Sequence, residues 1–142
     1  MRQSIVFMVV VSLLSSPIFG QENETYSFYR NAEGEISAYT KDQAKRMLKF
    51  AEDNGYITLW LVLNYPYNVE IEDMTPEEVA TQRSDVAIGF STILNPLVAN
   101  GDVWFPPSGA FIKGPGCTVR ATPKGLKQLL DDARLYQITT FD

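Results

Sequence analysis

The sequence of 142 residues contains no histidine and one cysteine, Cys117. Without histidine there is no Ser–His or Cys–His hydrolase and no His-ligated zinc site. A single cysteine permits neither an intrachain disulfide nor a cysteine-rich metal centre. Positive charge is also scarce, with 12 Lys and Arg against 17 Asp and Glu and a net charge of −5. A nucleic-acid binder wants a basic face, so none is expected here. Gly-x-Ser-x-Gly elbows and phosphate-cradling glycine loops are missing too. What remains is 45% hydrophobic and 12% aromatic, the balance of one folded domain rather than of a disordered or membrane-embedded chain.

Arg2 is the only charge before an apolar run from Ile5 to Leu14, which Ser15-Ser16-Pro17-Ile18-Phe19-Gly20 then breaks. A cationic start, a short apolar core and a breaker describe a secretory signal peptide over 1–20. The run is shorter than the roughly 20 residues of a comfortable membrane span, with an uncleaved anchor as the alternative. Cleavage after Gly20 would remove Arg2 and leave a net charge of −6. The expected product is secreted or periplasmic, with no membrane association after removal of the signal. Cys117 alternates with Val119 and Ala121 between polar residues, which predicts a buried strand thiol. Asn23-Glu24-Thr25 fits a glycosylation acceptor and matters only in a eukaryotic host.

Residues 21–39 are polar and aromatic without periodicity and read as a loose N-terminal arm. Thr40 with Gln43 resembles a capping box and opens an expected helix over 41–53, stopped by Asn54-Gly55. Ile57 to Leu63 is apolar on both faces, a central strand covered on at least one side. Thr75-Pro76 with Glu78 caps the longest helix, which the pattern carries to about Leu94, where Asn95-Pro96 weakens it before Asn100-Gly101 ends it. Asp102 to Phe105 reads as a short strand, 106–116 as a wide loop or broken hairpin, and 117–121 as a strand. Thr122-Pro123 opens a third helix with Leu126, Leu129, Leu130 and Ala133 on its apolar face, and 135–141 is the last strand. From residue 57 the order is βαββαβ. This predicts an α+β, ferredoxin-like domain over 40–142, with a four-stranded antiparallel sheet, two crossover helices and an extra N-terminal helix.

Few groups in this plan carry chemistry. Glu70, Glu72, Asp73, Glu77 and Glu78 lack the alternation and glycine bend of a calcium loop and read as a solvated rim, the last two favoured by the helix dipole. Asp131 and Asp132 point about 100° apart on a helix, so they form no dyad and are expected in solvent. Tyr65-Pro66-Tyr67 and Trp104-Phe105-Pro106-Pro107 are expected to close core edges, with a carbohydrate site as the sharper alternative. No enzyme activity, cofactor or metal is expected.

Three stretches together resemble the N-terminal propeptide of subtilisin-like serine proteases. They are Gly55 to Leu63, the helix carrying Thr81-Gln82-Arg83 and Phe90, and Pro115 to Ile138 with its Gly125-Leu126-Lys127-Gln128-Leu129 motif. The resemblance covers about 41–142 and rests on hydrophobic pattern. It implies the same ferredoxin-like fold and a role as inhibitor or folding chaperone of a subtilisin-like serine protease. It also implies that the C-terminal residues Thr139, Thr140, Phe141 and Asp142 lie nearest the protease cleft as an added strand. No protease domain follows in this sequence, so the implied action is in trans. The other reading is a secreted binding or structural domain of the same fold with no protease partner, working through the 104–116 loop or the N-terminal arm.

Overall fold

A computed structural model describes residues 25–107 and 112–140. Residues 1–20 with the expected signal, Asn23, Phe141 and Asp142 lie outside the described residues. In chain order the elements are β1 (Ser27–Tyr29), α1 (Ala38–Asn54), β2 (Ile57–Leu63), α2 (Pro76–Ala99), β3 (Val103–Trp104), β4 (Ile112–Lys113), β5 (Gly116–Ala121), α3 (Pro123–Leu130) and β6 (Leu135–Thr140). The sheet runs β1-β6-β2-β5-β3, β4 adds to β5, and every pairing is antiparallel. The four strands expected from the pattern, β2, β3, β5 and β6, stand in the order β6-β2-β5-β3. The described residues are therefore α+β, with three α-helices and a six-stranded antiparallel sheet, compatible with the ferredoxin-like class.

Burial divides the sheet into two faces. Along β2, Ile57, Leu59, Leu61 and Leu63 are buried while Thr58, Trp60 and Val62 are half-exposed, the period-two pattern of a strand covered on one side. Cys117, Val119 and Ala121 of β5 and Ile138 of β6 sit opposite the buried set. Met47 and Ala51 of α1, Val86, Phe90, Ile93, Leu94 and Leu97 of α2, and Leu126 and Leu129 of α3 complete the same core cluster.

The N-terminal arm is not loose over its whole length. Ser27 to Tyr29 pairs with Thr139, Ile138 and Gln137, which makes β1 a sheet edge and puts Phe28 in the core at 2% exposure. Three residues are too few for a periodic signal, and the strand is fixed by its partners instead. Arg30 donates to the carbonyls of Leu130 and Leu135, with its guanidinium 5.2 Å from the Phe28 ring centroid. Gln43 Oε1 of α1 accepts the outward Ser27 N–H at 3.0 Å, so this edge donor is blunted. Gln43→Ala leaves that donor without its partner and is expected to cost about 1 kcal/mol. Urea denaturation reads the loss, and hydrogen exchange should accelerate at Ser27 before the β2 amides.

The same contact corrects the first cap. Ser37, not Thr40, is the N-cap of α1, because Ser37 Oγ accepts the Thr40 N–H at 3.1 Å. Thr40 lies one turn inside and is buried, while Gln43 is occupied with β1. Gly55 ends the helix as expected, at φ 85°. The threonine caps at Thr75 and Thr122 open α2 and α3 where the sequence puts them, and Thr75 forms a full capping box with Glu78. α2 runs unbroken through Pro96 to Ala99 and ends at Asn100-Gly101 as expected, since Leu97, beyond the proline, is still buried on the core and holds the last turn down. α3 ends at Leu130, so Ala133 falls outside it and is exposed. β3 is shorter than expected, and β4 turns through Gly114 into β5 to make a small hairpin.

Candidate functional site

Three rows of side chains cross the face of the sheet opposite the helices. The register places Ser27, Thr139, Trp60 and Thr118 in one row. A second holds Tyr29, Gln137, Val62, Gly116 and Lys113, and a third Thr58, Arg120 and Trp104. Tyr56, two residues before Thr58, shares its outward direction. None of these positions carries a carboxylate, although acids outnumber cations in the chain as a whole. The chain's two tryptophans both lie here.

Two local arrangements shape the face. Gly116 has no side chain because the six-membered ring of Trp60 takes its place: a Cβ there would stand 2.0 Å from Cζ2 and 2.6 Å from Cε2. The Trp60 indole is thereby laid across β5 instead of standing up from the sheet. At the other end, the Arg120 guanidinium lies 5.2 Å from the Tyr56 ring centroid, and that ring packs 5.8 Å from Trp104 at 55°. Arg30, Arg46 and Arg134 all reach oxygen acceptors. Arg120, by contrast, is held by a ring, and its buried Nε has no hydrogen-bond partner among the described residues. The Oγ1 of Thr118, buried on the same face, also has none.

Of the four residues at the expected cleft end, Thr139 and Thr140 are built into β6. Thr139 is flanked by Ser27 and Trp60. Thr140 donates its N–H to Tyr26 O at 3.0 Å and accepts the Tyr26 N–H on Oγ1 at 2.9 Å. Phe141 and Asp142 lie outside the described residues. Tyr65 and Tyr67 pack against the core, as their place beside Pro66 suggests. Trp104 departs from its expected core edge and stands half-exposed on the open face, and Phe105 is exposed.

The remaining titratable groups have structural explanations. Asp132 is not free in solvent as expected: it accepts the backbone N–H of Arg134 and both Nε and Nη2 of its guanidinium, the last at 2.6 Å. Those hydrogen bonds hold its carboxyl below the usual aspartate range. The acids from Glu70 to Glu78 are exposed, and Glu78 closes the cap of α2. Among the described residues no group of His, Cys, Asp and Glu could hold a metal ion, and no helix is long and apolar enough to cross a membrane. Cys117 is 1% exposed, and burial pushes its thiol up to about 11. The thiolate is the reactive form, so iodoacetamide at pH 8 is expected to label Cys117 only as fast as the protein unfolds. Mass spectrometry at increasing urea would check this, and rapid labelling in native buffer would contradict it.

Comparison with known proteins found no match, whether to a family model, a curated protein or a solved structure.

Proposed function

We propose that this chain is a protein-binding module whose docking surface is the open face of the sheet. Its partner in this reading is a subtilisin-like serine protease, which it inhibits or helps to fold in trans, outside the cytoplasm. The observation that carries the reading is the composition of the face: two Trp, two Tyr and an Arg among small residues, without a carboxylate in its three rows. Trp, Tyr and Arg are the residues that dominate binding energy at protein interfaces, and acids are depleted there. The choice of protease rests on the sequence resemblance over 41–142. A secreted binding domain without a protease partner would use the same face.

The test is inhibition and refolding of a panel of subtilisin-like proteases by the exported form of the chain. Wild-type protein is expected to form a complex at micromolar concentration. Trp60→Ala should weaken it by roughly 30-fold, the effect of removing an interface anchor. A truncation lacking only Phe141 and Asp142 separates a cleft contact from the face without touching β6. Absence of inhibition, complex and refolding assistance across the panel would remove the protease from the proposal.

A further inference from the structure

We infer that the corner formed by Arg120, Tyr56 and Trp104 receives a carboxylate side chain, presented by an acidic segment of the partner protein. The inference rests on the reading of the open face as a protein-docking surface and specifies the chemistry of what docks. The Nε of Arg120 has no acceptor among the described residues, and the guanidinium is placed by the Tyr56 ring, which Trp104 supports in turn. A guanidinium stacked on a ring keeps its planar N–H edge for bidentate bonding to a carboxylate, and little further freedom is lost when the pair forms.

Charge points the same way. The face offers Arg120 and Lys113 and no acid in any of its three rows, so the field over it favours an anionic partner. The neighbouring surface is apolar: Trp60 laid over Gly116, with Val62 beside it in the register. An acidic residue flanked by apolar ones therefore fits the corner and the platform together. A neutral sugar would use the rings and leave the Arg120 charge unanswered.

Because both tryptophans lie on this face, intrinsic fluorescence reports on it directly. The full chain is titrated with two capped pentapeptides, acetyl-Leu-Glu-Leu-Glu-Leu-amide and its Gln counterpart. The acidic peptide is expected to bind at least about tenfold more tightly, the size of one charge-assisted pair. That preference should shrink between 50 and 500 mM salt and disappear in Arg120→Gln. Arg120→Lys, which keeps the charge and loses the fork, should recover only part of it. Circular dichroism confirms that the variants fold, and if they do not, the salt dependence of the wild type decides.

Equal binding of the two peptides, no saturable change with either, or tighter binding of trigalacturonate would overturn the inference. Self-association of the wild type that Arg120→Gln abolishes would also overturn it, because the occupant would then be a second copy. A carboxylate preference in a chain that complexes no protease keeps this site and discards the protease. A protease complex indifferent to Arg120 does the reverse.

Discussion

Gly125→Ala is expected to lower the stability of the domain by about 3 kcal/mol, even though alanine favours a helix interior by about 1 kcal/mol. Gly125 lies in the first turn of α3, and its N–H is accepted by the Thr122 cap. A Cβ at this position would stand 2.1 Å from the carbonyl oxygen of Asp102 and 2.9 Å from its carbonyl carbon. Both are backbone atoms, so no rotamer change relieves the contact. The same carbonyl accepts the Thr122 N–H at 3.0 Å, and Asp102 leads directly into β3. Moving it costs a hydrogen bond and pulls at the sheet edge. Thermal unfolding should show a midpoint lower by roughly 10 °C for a domain of this size. An unchanged or higher midpoint would mean that α3 can slide away from the α2–β3 connection without loss.

Gly116→Ala is expected to cost about 2 kcal/mol and, unlike Gly125→Ala, to alter the docking face. Here the obstacle is a side chain: three atoms of the Trp60 ring lie between 2.0 and 2.8 Å from the new Cβ. The indole must leave the surface of β5, which uncovers Gly116 and the buried Thr118 hydroxyl beside it. Tryptophan emission should shift to the red, and affinity for a partner should fall with it. A double-mutant cycle with Trp60→Ala gives the sharper measurement. If the clash is the cause, Gly116→Ala costs far less once the ring is gone. Additive losses would contradict the described placement of Trp60.

The difference between these glycines explains what could be read from the sequence. Helix caps are local, so Thr75 and Thr122 announced α2 and α3 without any knowledge of the fold. The apolar run at 57–63 and the alternation at 117–121 were likewise enough to place both central strands, and the βαββαβ order followed. Ser37 was hidden because Thr40 and Gln43 have the spacing of a capping box, and the true role of Gln43 needs β1, which is itself held by β6 through pairs such as Tyr26 with Thr140, 114 residues apart in sequence. Nothing local marks the glycines at 116 and 125, and only tertiary contacts make them requirements. The docking face was invisible for the same reason. Tyr56, Trp60, Trp104 and Arg120 come from three separate stretches, and the register alone brings them together. Their one local trace was a tryptophan in the middle of a largely aliphatic strand.

The position of β6 has a kinetic consequence. It is the last described strand in the chain, yet it lies between β1 and β2 and hydrogen-bonds to both. Neither neighbour can complete its pairing until β6 arrives, and β1 waits across more than a hundred residues of intervening chain. Loop closure of that length precedes its reward, which places folding toward the slow end for a domain of this size. During that interval the apolar positions Leu59 and Leu61 have no cover on their β6 side. The unfolded or half-folded chain is therefore long-lived, and a binding partner or holdase would find its window there.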